Sequence, residues 1–192
     1  MKCFIITTTI LLAMALTAAG QTAGNIDLLW SADTYTPPFY RGHSAVSPQS
    51  QGTVVAFPGF TAVENLDFDW VKDGRNIGSA SGPGKNILVY TAGASGGNDI
   101  SVAASDTAGR RYAARLFIPV GAPRLVVYQD DPLRGITYHR AEVGEYTLLG
   151  PEVSLLAEPY FFSRADVTGR RIEFDWRLNG QKVITDPGDL RR

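Results

Sequence analysis

Two histidines, His43 and His139, are the only imidazoles in a chain of 192 residues. An imidazole can act as a general base or ligate a metal. A metal site needs three or four ligands of compatible type and spacing, and neither histidine belongs to such a set. Each lies near a basic residue, Arg41 or Arg140, which reads as an exposed loop position. The carboxylates could serve calcium, which takes six to eight oxygens from closely spaced acidic residues. Asp130-Asp131, and Asn98-Asp99 together with Asp106, are the candidates. No dense acidic run surrounds them, so no metal is assigned. The glycine-rich stretches Gly78–Gly84 and Gly93–Gly97 do not join a strand to a helix, the context that a phosphate cradle requires. They read as interstrand loops. No catalytic residue and no cofactor is assigned, and the expectation is a protein that is not an enzyme.

Contact chemistry is better represented. Tyr35-Thr36-Pro37-Pro38-Phe39-Tyr40 places aromatics and prolines in one loop, giving rigid apolar area at low entropic cost. Tyr35, Phe39 and Tyr40 are the candidate residues for contact with a protein or a glycan. The competing expectation is that this loop packs on its own domain or on the next one. Pro159-Tyr160-Phe161-Phe162 is a parallel case.

The elements that must carry these residues read as β-strands. Ile26–Trp30, Thr53–Phe57, Leu66–Val71, Asn86–Thr91, Ile100–Ala104 and Arg111–Val120 are short alternating runs separated by Gly, Pro, Asn and Asp, and no window sustains helical periodicity with caps. Asp67-Phe68-Asp69-Trp70 recurs as Glu173-Phe174-Asp175-Trp176, at a spacing of about 100 residues, one small β-sandwich. Alternation puts Phe68 and Trp70 on one face and Asp67 and Asp69 on the other. The same holds for Phe174 and Trp176 against Glu173 and Asp175. The four aromatics are the candidate core. Each strand then meets Asp73-Gly74 or Asn179-Gly180, the dipeptides of a type I′ hairpin.

The repetition extends upstream. Val54–Phe60 resembles Leu155–Phe161, and Leu28-Leu29-Trp30 resembles Val126-Val127-Tyr128. Pro58 and Pro159 should close their strands, because proline cannot donate to a ladder. The chain therefore divides into a first sandwich over 24–120 and a second over 121–192. The second lacks a counterpart to three strands of the first. A fragment or truncated reading frame is the expectation, and a strand donated by a partner is the alternative.

Residues 1–23 read as a signal peptide. Met1-Lys2 is a positive start, Phe4–Ala19 is apolar apart from threonines, and small residues follow at Ala18, Ala19, Gly20 and Ala23. The apolar run is shorter than a membrane span requires, so no span is expected after cleavage. Cys3 is the only cysteine, which leaves the mature chain without disulfides. Hydrophobic residues make up 44% and charged residues 19%, enough apolar content to fold. A net charge of −1 argues against a nucleic-acid partner.

The tryptophan strand with its Asp/Asn-Gly turn, the tandem arrangement and the export pattern resemble immunoglobulin-like and PKD-like domains of bacterial surface proteins. The antibody-type disulfide is missing. More narrowly, Tyr35–Gly42 and Ala157–Ser163 are similar to segments of an exported family from small-genome candidate-phylum bacteria, a likeness that implies no activity. The resemblance implies tandem all-β immunoglobulin/PKD-like sandwiches, the second one incomplete. The expected role is an extracytoplasmic envelope or secreted protein that works as a spacer or adhesion module. Two alternatives stand beside it: an envelope or pilus assembly component completed by a donated strand, and a carbohydrate-binding accessory module.

Overall fold

The computed structural model describes residues 25–142, Thr147, 152–183 and Arg191. The signal-peptide reading of 1–23 lies outside these residues. The regular structure of the described residues is almost entirely antiparallel β. In order the strands are β1 (Ile26–Ala32), β2 (Gln51–Pro58), β3 (Leu66–Lys72), β4 (Arg75–Asn76), β5 (Gly82–Pro83), β6 (Ile87–Thr91), β7 (Gly97–Asp106), β8 (Arg111–Pro119), β9 (Arg124–Asp131), β10 (Gly135–Glu142) and β11 (Leu155–Tyr160). A five-residue helix, α1 (Arg164–Thr168), and the strands β12 (Arg177–Leu178) and β13 (Gln181–Lys182) follow. All six runs read from the sequence coincide with β1, β2, β3, β6, β7 and β8.

Two sheets enclose the main core. One has the order β1-β2-β6 and the other β4-β3-β7-β8, with β5 also on β3. Alternation dictates what each buries. Val54, Ala56, Leu88 and Tyr90 face inward from the first sheet, and Leu66, Phe68, Trp70, Ile100, Val102 and Ala104 from the second. Phe68 and Trp70 are fully buried while Asp67 and Asp69 are exposed. Each large side chain removed from water in this way contributes about 1.5–3 kcal/mol. The polar groups of Trp70 are met locally. Its indole Nε1–H donates to the Lys85 carbonyl at 2.9 Å, and its backbone N–H to Ser81 Oγ at 2.9 Å.

Both dipeptide turns have positive φ at each residue: 50° and 76° at Asp73-Gly74, 51° and 79° at Asn179-Gly180. They close the β3–β4 and β12–β13 hairpins, the I′ geometry that suits the strand twist. The backbone around the two tryptophans also agrees. Ile77 N–H donates to the Trp70 carbonyl at 2.8 Å, and Val183 N–H to the Trp176 carbonyl at 2.9 Å.

A third sheet, β10-β9-β11, follows the linker. Val120 makes a parallel bridge with Val46, and Gly121 N–H donates to the Val46 carbonyl at 2.8 Å, so the chain enters β9 with its path fixed. Pro58 is the last residue of β2, whereas β11 runs one residue beyond Pro159. Residues 171–176 differ from the expectation. They alternate between exposed and half-buried but join no ladder among the described residues. Phe174 and Trp176 are half-buried, short of the core positions that Phe68 and Trp70 occupy. Those two are enclosed between sheets, whereas 171–176 belong to no sheet among the described residues.

Candidate functional site

The loop after β1 turns toward the third sheet. Thr34 bridges Ser163, the Tyr35 N–H donates to the Phe162 carbonyl at 2.7 Å, and the Phe161 N–H returns to the Tyr35 carbonyl at 2.8 Å. These bonds extend the run of β11 and hold the loop over one face of the β9–β11 ladder. Phe161 adopts φ 62°, which bends the chain as it leaves β11.

Rings fill the space between. Phe39 packs on Tyr138 with centroids 3.9 Å apart and edge-on to Tyr128 at 6.0 Å. Tyr40 meets Tyr160 at 5.7 Å and Phe161 at 5.6 Å, both edge-to-face, the arrangement that aromatic quadrupoles favour. Tyr128 and Tyr160 share a hydrogen bond of 2.8 Å between their hydroxyls. Glu158 is buried beneath the loop. It accepts from the Tyr35 hydroxyl at 3.4 Å and from Arg191 Nη1 at 3.5 Å, so its charge is matched as a buried carboxylate requires. Burial, then the nearby Glu158 carboxylate, pushes the Tyr35 hydroxyl above its ordinary pKa. Burial raises Tyr160 in the same direction, helped by its bond to Tyr128. At the rim, Arg164 Nε donates to Asp33 Oδ1 at 3.1 Å.

Tyr35, Phe39 and Tyr40 thus come together, and all three are half-buried against the third sheet. What they meet there was only partly visible in the sequence. Tyr160 and Phe161 stood in the parallel aromatic run, but Tyr138 and the Glu158–Arg191 pair carried no local signal. One signal was available: Leu155–Phe161 has no charged or small polar residue except Glu158, so it lacks the alternation of a half-exposed strand, which implies cover on both faces.

The other candidates are dispersed. His43 is exposed, with its ring 4.2 Å from that of Trp30. His139 lies on β10, not in a loop, and is also exposed. Asp99 is ion-paired with Arg115, whose guanidinium holds its carboxyl below the usual range. Asp106 bonds Arg110 and the Ala108 and Arg110 amides. Asp131 Oδ1 caps the turn at Leu133 and Arg134. Each therefore has a local structural task, and among the described residues no group of three His, Cys, Asp or Glu could hold a metal. Gly93-Ala94-Ser95-Gly96-Gly97 has the Gly-x-Ser-x-Gly spacing of a nucleophile elbow, yet it joins β6 to β7. An elbow needs a strand-to-helix turn.

Two open depressions mark the second sheet. One of about 390 Å³ lies beside Lys72, Asp73, Arg75 and Ile77. One of about 330 Å³ lies over Ser101, Ala103 and Ala113, between Asp69 and Arg115. No helix among the described residues is long and apolar enough to cross a membrane. No family model matches the chain, and no curated protein or solved structure is significantly similar to it.

Proposed function

We infer that the chain is a non-enzymatic exported spacer, built from two copies of one immunoglobulin/PKD-like sandwich module, that works at the cell envelope or surface. The observation that carries this reading is the use of the Tyr35–Tyr40 loop. Its rings lie on Tyr128, Tyr138, Tyr160 and Phe161, so the best contact loop in the sequence is spent on holding the copies together. A spacer must transmit position from one end to the other, and an ordered junction of this kind restricts relative motion of the modules.

Duplication is supported by matched backbone bonds. Ala56 N–H donates to the Asn86 carbonyl at 2.8 Å, and Ala157 N–H to the Arg191 carbonyl at 2.8 Å. The ladder pairs Leu29 with Val55 and Tyr128 with Leu156, which sets Leu29 against Tyr128, one residue off the likeness of Leu28-Leu29-Trp30 to Val126-Val127-Tyr128. The strand orders β1-β2-β6 and β4-β3-β7-β8, the buried Trp70 on β3 and the lack of a disulfide fit such a module. Export rests on the N-terminal charge, apolar run and small residues.

The carbohydrate reading is weaker, since Tyr35 and Tyr40 are turned to the junction. The strand-donation reading finds the β11 edge met by Arg191 at Ala157. Two measurements test the proposal. A phosphatase fused after Arg192 should be active outside the cytoplasm, and an inactive fusion would remove the export element. Amide ¹⁵N relaxation should give one shared tumbling time for β2–β8 and β9–β11; separate times would remove the spacer element.

A further inference from the structure

Deepening that reading, and resting on its duplication, we propose that the outer face of the β1-β2-β6 sheet receives the β9–β10 hairpin of a second copy of this chain, giving head-to-tail assembly. The argument starts from which face is which. With Ala56 matched to Ala157, the inward residues Val54, Ala56 and Pro58 correspond to Leu155, Ala157 and Pro159. The outward residues Leu29, Val55 and Phe57 correspond to Tyr128, Leu156 and Glu158. β2 shows the alternation of a strand open on one side, but β11 is buried at every residue from Leu156 to Tyr160. The difference is the Tyr35–Tyr40 loop. It covers the outer face of the third sheet through Phe39, Tyr40 and Tyr35.

The equivalent face of the first sheet is bare and apolar. Leu29, Phe57, Ile87 and Val89 are exposed there, Phe57 to 59%. Val55 stands between Leu29 and Ile87 in register, and Thr53 between Ser31 and Val89. The only charge that this face presents is Asp27, opposite Phe57. An exposed cluster of this kind marks a contact surface, and the chain's own junction specifies what seats on such a face: the segment that leaves the first strand of the preceding module.

In the second module that segment is the β9–β10 hairpin. Asp131 ends β9 where Ala32 ends β1. The turn that follows carries Leu133, 96% exposed, with Arg134 beside it. Leu133 supplies an apolar tip for the Leu29–Val55–Ile87 row, and Arg134 a cation for Asp27. Three strands about 4.8 Å apart and about 24 Å long offer a footprint of roughly 340 Å². Two such surfaces bury less than the ~1,200 Å² of a standard interface, so the association is weak and concentration-dependent. Because donor and acceptor are different surfaces, the contact does not close on itself and produces a series of oligomers.

The test is sedimentation velocity on the full chain over a range of concentration, with Phe57→Glu and Leu133→Asp. Both positions are exposed, and unchanged thermal melting verifies the fold of each variant. The wild-type weight-average sedimentation coefficient should rise with concentration. Each variant alone should weaken association at least ~10-fold, the loss typical of a central contact residue. An equimolar mixture of the two variants should recover one junction and stop at a heterodimer, since one retains the acceptor face and the other the donor tip. A wild-type chain that stays monomeric overturns the proposal, as does association indifferent to both substitutions. Association lost with Phe57→Glu but kept with Leu133→Asp indicates face-to-face pairing and overturns it too. None of these results touches the spacer reading, which fails separately if the shared tumbling of β2–β8 and β9–β11 is absent.

Discussion

Phe39→Ala isolates the junction from the folds that it joins. Phe39 is half-buried, in contact with Tyr138 at 3.9 Å and Tyr128 at 6.0 Å. Truncating a fully enclosed phenylalanine costs about 3–5 kcal/mol. Half burial brings this to about 2 kcal/mol, including one edge-to-face pair worth about 0.5–1.5 kcal/mol. That loss falls on docking of the loop, because Phe39 touches none of the residues that fill the core between the first two sheets. Two amides report it directly: Tyr35 N–H, bonded to the Phe162 carbonyl, and Phe161 N–H, bonded to the Tyr35 carbonyl. Their hydrogen exchange should accelerate about 30-fold, the equivalent of about 2 kcal/mol. Amides of β7, such as Val102 and Ala104 opposite Trp70 and Phe68, should not change. Unchanged exchange at Tyr35 and Phe161 would mean that the ring contact does not hold the loop. Equal acceleration in β7 would mean that the junction and the core unfold as one unit. Either result refutes the reasoning.

Gly52→Ala should destabilise by about 1–3 kcal/mol in urea titration, since a Cβ there would lie 2.5 Å from the ring of Tyr90, which is buried and cannot move aside. Gly97→Ala meets the ring of Phe117, which is exposed and free to swing away, so its denaturation midpoint should stay within about 0.5 kcal/mol of the parent. Trp70→Phe should cost about 2–4 kcal/mol by the same titration, from the lost indole volume and the Lys85 carbonyl left without its donor; Trp176→Phe, at a half-buried site, should cost less than about 1.5 kcal/mol. Alkali should destabilise the fold. Burial pushes Tyr90 up to about 12 and raises Tyr35 and Tyr160 above the ordinary 10.0. Above pH 10 the unfolded chain releases tyrosine protons that the folded chain keeps, so stability is complete below pH 10 and falls as pH rises toward 12. Urea midpoints between pH 8 and 11 check this, and Tyr90→Phe should reduce the fall.

The first two sheets were legible because their rules are local. Alternation in Leu66–Lys72 assigns Phe68 and Trp70 to the core without reference to any other strand, and Asp-Gly or Asn-Gly fixes a turn from two residues. β10 was not legible. Gly135–Glu142 is mostly exposed, carries His139, Arg140 and Glu142, and shifts register between Ile136 and Ala141, so it shows no alternation to read. α1 is too short for helical periodicity, and Ser163 makes no side-chain cap bond. The site was half legible. Tyr35, Phe39 and Tyr40 could be chosen by residue type, but their partner Glu158 is 123 positions from Tyr35, and no local pattern encodes a pairing at that distance. Likewise the aromatic types of Phe174 and Trp176 state a preference for burial, and only a facing sheet can grant it.

The outer faces of the sheets separate these two kinds of information. On the β3-β7-β8 face, Asp69, Asp99, Arg111 and Arg115 stand outward beside one exposed aromatic, Phe117, with Asp99 and Arg115 paired, and charges so placed discourage sheet-to-sheet association. On the β1-β2-β6 face the outward residues are Leu29, Val55, Phe57, Ile87 and Val89. Strand formation alone does not require that choice, because polar β-formers such as Thr53 and Thr91 occupy the same face. Solubility selects against it. Under the proposed assembly, an apolar row on one face beside charges on the other has a cause outside the fold of a single module. On the proposed duplication the third sheet supplies that cause within this chain: Tyr128 and Leu156, the residues that would correspond, are buried, Tyr128 against Phe39 of the loop, and a side chain to be covered by a following module must be apolar before that module arrives.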